Sequence, residues 1–323
     1  MIDSDYSRNL ALEFVRVTEA AAISAANWIG KGDKHSADQA AVNEMRSRFN
    51  LINFKGTVVI GEGSKDKAPM LYVGEQLGVG KNPAMDLAID PLECTDSVAY
   101  GRYNAISVIS AGKKGSLLHA PDTYMNKIAV GPQAKNVIDI DAPVKTNIQR
   151  VAKALGKKVT EVTVIVLDRE RHKKLIEEIR FTGARIRLIT DGDVAAAIAP
   201  SLPDNEADML LGIGASAEAV LAATAIKILG GQLLCRFKPK TEDDARELNK
   251  VGINNLNKVF STEDLAKGRE LTFTATGVID GPLLSGVRFA KNAVVTHSLV
   301  IRGISGTLRY ITTYHHSHPL LNK

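Results

Sequence analysis

The run Met85-Asp-Leu-Ala-Ile-Asp-Pro-Leu-Glu-Cys-Thr95 constrains this chain more than any other stretch. A short apolar run of strand type closes on Asp90, and Pro91 has no N–H with which to continue a ladder. Glu93 and Thr95 then fall in the turn beyond the strand end, so two carboxylates are expected in one small volume. Carboxylates held that close repel and raise each other's pKa unless a divalent cation keeps both ionised. Oxygen-only donors suit Mg²⁺ or Mn²⁺. Thr95 would set a hydroxyl and free backbone N–H groups toward a phosphate at a helix N-terminus. A capped turn without an ion is the other reading of these residues taken alone.

Acids recur at the ends of other expected strands. Thr57–Ile60 reads as a strand, and Glu62 follows it between Gly61 and Gly63, free to point into a site. A second acid-tipped strand end is what a two-metal site needs, although a turn with a solvated acid has the same spelling. The buried strand Val162–Leu167 ends at Asp168-Arg-Glu-Arg-His172, where alternation would send Arg169 and Arg171 to one face, as either a phosphate clamp or a surface charge cluster. Ala184–Ile189 is followed by Asp191-Gly-Asp193, whose carboxylates can accept hydrogen bonds from hydroxyl groups.

Helical spacing of Leu10, Val15, Val17, Ala21, Ile23 and Trp28 predicts a packed helix over 9–28. Asp33–Asp38 leads into a second helix, Gln39–Phe49, with Asp38 in its first turn, where a carboxylate also favours the helix dipole. Ala105–Ile109 and Ser116–His119 read as a hairpin across Lys113-Lys-Gly115. Residues 143–160 and 194–200 read as helical. Strands are expected at Met209–Gly214, Leu271–Ala275 and Ala293–Ile301, and a long helix opens at Ala215-Ser-Ala-Glu218. Gly212-x-Gly214-x-x-Ala217 after a strand has the look of a dinucleotide fingerprint, but no acid follows where the ribose contact should be. Tyr314-His-His-Ser-His318 reads as a disordered tail bearing histidines.

Composition excludes several classes. With 323 residues, 45% hydrophobic and 24% charged, the chain has an ordinary soluble make-up, large enough for one large domain or two small ones. The net charge of +5 is spread rather than blocked and aromatics are 5%, which suits an anionic small substrate and implies no nucleic acid. Cys94 and Cys235 are the only cysteines, as expected in a reducing compartment. No run reaches the ~18 apolar residues of a membrane span, and a cytoplasmic protein without membrane contact is expected.

Asp90-Pro-Leu-Glu-Cys-Thr95 resembles the Asp-Pro-Ile-Asp/Glu-Gly-Thr signature of the lithium-sensitive sugar and inositol phosphatases. Gly32–Asp38, Val59–Gly63, Ala68–Tyr72, Ala120–Met125 and Asp191–Val194 are similar, in order, to class II fructose-1,6-bisphosphatases, from about Arg8 to Tyr314. That resemblance implies an α/β protein, a layered α-β-α-β-α sandwich, with a metal-binding half over about 1–150 and a sugar-binding half over about 151–315. It implies Mg²⁺ or Mn²⁺ on Asp38, Glu62, Asp90, Glu93 and Glu218, and catalysis by Asp66 and Thr95. Lys34, Tyr124, Arg169, Arg171, Asp191 and Asp193 would bind a sugar bisphosphate, either fructose 1,6- or sedoheptulose 1,7-bisphosphate. The assembly implied is a homo-oligomer, dimer or tetramer. His35 stands where the family has a different polar residue and reads as solvated surface.

Seven positions depart from the family pattern: Ser64, Lys67, Cys94, Glu170, Ala215, Ala217 and Ala219. Lys67, if turned inward, would weaken cation binding by repulsion, and Glu170 would partly neutralise a phosphate pocket. Cys94 replaces a Gly and needs a permissive backbone angle or a shifted loop. A weakened paralogue that binds a sugar phosphate without turnover is therefore the alternative to an active phosphatase.

Overall fold

The computed structural model describes residues 10–63, 70–203 and 207–316. Among them the strands run, in chain order, β1 (Lys55–Ile60), β2 (Gln76–Leu77), β3 (Ala84–Glu93), β4 (Ala105–Lys113), β5 (Tyr124–Val130), β6 (Thr163–Leu167), β7 (Arg185–Ile189), β8 (Met209–Ala215), β9 (Gln232–Phe237), β10 (Phe260–Ser261), β11 (Leu271–Ile279), β12 (Arg288–Phe289), β13 (Ala293–Arg302) and β14 (Thr307–His316). The helices are α1 (Leu10–Ala26), α2 (Lys34–Phe49), α3 (Thr95–Tyr100), α4 (Val144–Leu155), α5 (Lys173–Thr182), α6 (Val194–Ile198), α7 (Ser216–Ile228), α8 (Glu242–Lys250) and α9 (Thr262–Leu265). This is the expected α/β class. The chain divides into two compact units, residues 1–115 with 270–323, and residues 116–269. The expected division near residue 150 thus falls inside the second unit rather than between the two.

The first unit is built on a sheet of order β12-β13-β11-β4-β3-β1-β2, with β14 paired to β13. Helices α1 and α2 bury Phe14, Ala21, Met45 and Phe49 against Val58, Leu87, Ile89 and Ile109 of the strands. Removal of that apolar surface from water is the main stabilising term. Three rings, Phe14, Phe49 and Phe54, meet at centroid distances of 5.6–6.0 Å, mostly tilted edge to face.

Four expectations are corrected here. α2 begins at Lys34 because the Asp33 carboxylate caps it, accepting from Ser36 N at 3.0 Å and from Ser36 Oγ at 2.6 Å, so Asp38 lies in the second turn, beyond the strongest pull of the dipole. β3 does not stop at Asp90. Its pairing with β4 passes from Asp90↔Val108 to Glu93↔Ile106, a bulge that absorbs Pro91, while Leu92 N–H donates to Asp90 Oδ1 at 3.1 Å. The Ser116–His119 half of the hairpin does not form; Leu117 makes one bridge, to Ala266, because Gly115 is where the chain leaves the first unit. Tyr314–His316 is the end of β14 and not a loose tail, with His315 hydrogen-bonded to Thr296 at 2.9 Å. His318 lies outside the described residues.

The second unit carries a sheet of order β10-β9-β5-β8-β6-β7, in which β6, β7 and β8 are parallel and β5 is antiparallel to β8. Ile128 and Val130 of β5 join Val164, Val166, Met209 and Leu211 in a core under α4 and α5. Side chains one residue out of phase, Lys127 among them, point to the other face, where α6 and α7 pack.

Candidate active site

In the first unit the acids gather where two parallel strands end. β1 and β3 pair in parallel with Ile60 opposite Ala88, and two residues further along each lie Glu62 and Asp90. Burial pushes the Glu62 carboxyl up to about 7, and the nearby charge of Asp38 adds to the push. Burial raises Asp38 as well, against the charge of exposed His35. Among the described residues neither acid makes an ion pair. Two half-buried carboxylates whose proton affinity burial raises are a fitting pair of hard donors for a divalent cation. Glu93 is 3% exposed at the end of β3. Among the described residues, however, no three His, Cys, Asp or Glu side chains form a group that could hold an ion by itself. Asp66, Ser64 and Lys67 lie outside the described residues.

Thr95 opens α3, as its helix-start reading requires. Lys34 is exposed and pairs with Asp96 at 3.2 Å, a surface contact of small value. Cys94 takes the left-handed conformation expected of the Gly it replaces, with φ 73° and ψ 51°. Its thiol is buried within the first unit's core. A non-glycine residue in that region is strained by ~1–3 kcal/mol.

In the second unit, the carboxyl ends of β6, β7 and β8 and the start of β5 share one edge, the usual place for ligands in an α/β sheet. Arg169, Arg171, Asp191, Asp193, Glu218 and Tyr124 all stand there. The alternation that would send both arginines to one face does not apply, because residues 170–172 form a 3₁₀ turn. Arg169 donates to Asp191 Oδ1 at 3.2 Å. Arg171 donates twice to the Ile213 carbonyl, at 3.1 and 2.8 Å, and lies 5.1 Å from the Tyr124 ring centroid. Lys240 Nζ sits 3.5 Å from the same centroid, so Tyr124 carries two cations. Glu170 turns to Lys173 at 2.7 Å and is 81% exposed, which removes the expected neutralisation of the pocket.

Asp193 is not the open sugar ligand that its motif implies. It is 5% exposed, and Lys127 Nζ, itself 2% exposed, donates to its two oxygens at 3.0 and 2.8 Å. Burial pulls the Lys127 ammonium toward neutrality, but the charges of Asp193 and then Glu218 outweigh it and hold the group charged. Glu218, in the first turn of α7, is half-buried as a residue, yet its Oε2 is fully enclosed with no hydrogen-bond partner among the described residues. Burial raises its carboxyl against the pull of Lys127. An enclosed oxygen left over in this way fits a cation ligand.

The two glycines of the Gly-x-Gly pair have other work than a dinucleotide. A Cβ on Gly212 would lie 3.2 Å from the His172 ring, and one on Gly214 would lie 1.9 Å from Asp193 Oδ2. His172 is buried and bridges β6 to β8, its Nδ1 2.7 Å from the Leu167 carbonyl and its Nε2 accepting from Ile213 N–H at 2.8 Å. Burial lowers its pKa, so it stays neutral and acts as a tie. Lys127, His172 and Lys240 were not singled out by sequence. Lys127 had a signal, as a lone cation in the apolar run of β5, whereas Lys240 is one of many surface lysines.

Acid-tipped strand edges joined to arginines and an enclosed carboxylate are the equipment of an α/β enzyme that handles phosphate esters. A family model described as bacterial fructose-1,6-bisphosphatase, glpX-encoded, matches residues 8–315. A class 2 fructose-1,6-bisphosphatase of Haemophilus influenzae is 44% identical over 97% of this chain and 98% of its own length. A class 2 D-fructose 1,6-bisphosphatase/sedoheptulose 1,7-bisphosphatase of Synechococcus sp. (strain JA-2-3B'a(2-13)) is 42% identical over 95% of each. Among solved structures, an extragenic suppressor from Pyrococcus furiosus overlays 59% of this chain and 69% of its own, at 12% identity and a TM-score of 0.31. The chain belongs to the class II fructose-1,6-bisphosphatases, the glpX-encoded bacterial family, and is a hydrolase. The family match and the two named bisphosphatases support an enzyme rather than a binding subunit.

Proposed function

We propose that this chain hydrolyses the 1-phosphate of fructose 1,6-bisphosphate, giving fructose 6-phosphate and phosphate, with Mg²⁺ or Mn²⁺ as cofactor. The near-full-length likeness to named bisphosphatases carries the reading. In it Asp38, Glu62, Asp90 and Glu93 of the first unit, and Glu218 of the second, are cation ligands. A bound divalent cation would neutralise phosphate charge and acidify water. Asp66 would accept the proton of the attacking water and Thr95 would orient that water in line with the leaving oxygen. Water oxygen bonds to phosphorus as the bond to the C1 oxygen breaks, and that oxygen takes up a proton. Lys34, Arg169, Arg171 and Tyr124, with Lys240 beside the ring, would seat the sugar and its distal phosphate, and Asp191 would accept from a sugar hydroxyl. Asp193 is assigned to holding Lys127. Sedoheptulose 1,7-bisphosphate, named for the Synechococcus relative, is a second candidate substrate. Cytoplasmic location and homo-oligomeric assembly go with this proposal; among the described residues no helix is long and apolar enough to cross a membrane. Phosphate release is measured from both sugar bisphosphates with Mg²⁺, Mn²⁺ or EDTA. Release with a metal and none with EDTA is expected, and no release above the chelated blank with either metal would sink the reading.

A further inference from the structure

Glu75 is a buried carboxylate of the first unit, 5% exposed, that none of the roles above uses. Both of its oxygens are engaged: Oε1 accepts from Arg46 Nε at 2.7 Å, and Oε2 accepts from the Leu71 N–H. Arg46 stands on α2, about two turns beyond Asp38. Leu71 is buried in the same core and held at φ 55°, in the left-handed region. A leucine persists there only where its surroundings over-determine it. What that conformation serves is visible at its carbonyl, which accepts from the Glu62 N–H at 3.1 Å, while Val73 N–H donates to the Gly63 carbonyl at 2.9 Å. Gly61 makes room for the grip, because a Cβ there would fall 2.1 Å from the Leu71 oxygen. A continuous run of hydrogen bonds thereby leads from Arg46 through the Glu75 carboxylate and the Leu71 backbone to the backbone of Glu62, just beyond the end of β1.

We propose that Glu75, anchored by Arg46, is a positioning residue for cation binding: it fixes the Leu71 backbone, which holds the Glu62 backbone where the Glu62 carboxylate can meet a divalent cation. The proposal rests on the reading of Glu62 as a cation ligand. It has a sign that plain electrostatics does not share. As mere charges, loss of Glu75 would weaken the binding of a cation and loss of Arg46 would tighten it. As one brace, loss of either weakens binding, because a ligand without its support is held less well.

The test compares Arg46→Met and Glu75→Gln with the parent, each as the full chain. Gln offers one acceptor oxygen to two donors, so one N–H is left facing an amide NH₂. Mn²⁺ affinity is followed by electron paramagnetic resonance of free Mn²⁺, exchange of the Glu62 amide by mass spectrometry of its peptide, and folding by circular dichroism. Both folded variants are expected to bind Mn²⁺ roughly 10-fold more weakly, at the low end for lost supports of metal ligands because this support acts through the backbone. Both should also exchange the Glu62 amide faster. The charge-balanced double variant, Arg46→Met with Glu75→Gln, is expected to weaken binding as well and covers the case in which Arg46→Met does not fold. Parent-like or tighter Mn²⁺ binding in folded Arg46→Met, or in the folded double variant where that one is needed, overturns the proposal, as does a Glu62 amide that exchanges at the parent's rate. A merely structural brace would lower the melting temperature and leave the affinity of the folded protein unchanged. A Glu62→Gln control separates the two ideas: if it leaves Mn²⁺ binding unchanged, the ligand reading of Glu62 fails, whereas weakened binding there with parent-like Arg46→Met refutes only the brace.

Discussion

Most of the site acids of the two units lie at the ends of apolar strands, with Asp38 on α2 and Glu218 on α7 as exceptions, but the pairs differ in what neutralises them. In the first unit burial raises the proton affinity of both Asp38 and Glu62, the charge of Asp38 raises that of Glu62 further, and among the described residues neither makes an ion pair. In the second, Asp193 is held by Lys127 and Asp191 by Arg169. Acids with a cation built into the protein have little left to offer a metal ion, while acids without one are unstable when ionised until a cation arrives. Spacing after a strand therefore does not by itself say which kind of site is present.

Breaking the built-in pair has the largest expected effect. Lys127→Met alone leaves Asp193 buried beside an apolar chain, and a loss of about 3–5 kcal/mol is expected from urea unfolding. A loss under 1 kcal/mol would mean that the pair is not desolvated. The first unit should respond to pH instead. Glu62 is raised from an ordinary 4.5 to about 7, so its proton favours the folded state: in the metal-free protein its contribution to stability is fully present below about 4.5 and is lost as pH rises through about 7, by at most about 3 kcal/mol. Melting in EDTA at pH 5 and pH 8 shows the loss, and Mn²⁺ should restore more at pH 8. Equal restoration at both would contradict the assignment. Glu62→Gln sharpens the same contrast. It should cut turnover with Mn²⁺ roughly 100-fold while abolishing that pH-dependent loss in EDTA, because a neutral amide is a poor ligand but needs no counter-charge.

Smaller effects are expected at the edges. Lys240→Met should raise KM for fructose 1,6-bisphosphate several-fold, about 1 kcal/mol, and leave that for fructose 1-phosphate alone, since only the former has a distal phosphate. A shift for both substrates would place Lys240 elsewhere in the reaction. Cys94→Gly removes a side chain from a left-handed position, and about 1 kcal/mol of stability and a raised turnover are expected. A drop in turnover would show instead that the thiol takes part.

Much of this was legible in the chain itself. Hydrophobic periodicity placed α1, the buried strands β6 and β8 and the partly exposed strand β7, because 3.6-residue and two-residue repeats are local facts. The acids after β1 and β7, those at the end of β3 and the left-handed demand at Cys94 were also readable, since turn chemistry is local. What the sequence could not carry was partner choice. β3 runs on through Pro91 because a bulge against β4 absorbs it, and β14 is a strand because β13 holds it along its whole length. Whether Asp193 meets a sugar or a lysine depends on Lys127, 66 residues away in sequence, and on the missing Cβ of Gly214. Such contacts are settled only when the sheet brings distant strands into register, because burial and charge pairing are properties of neighbours in space and not along the chain.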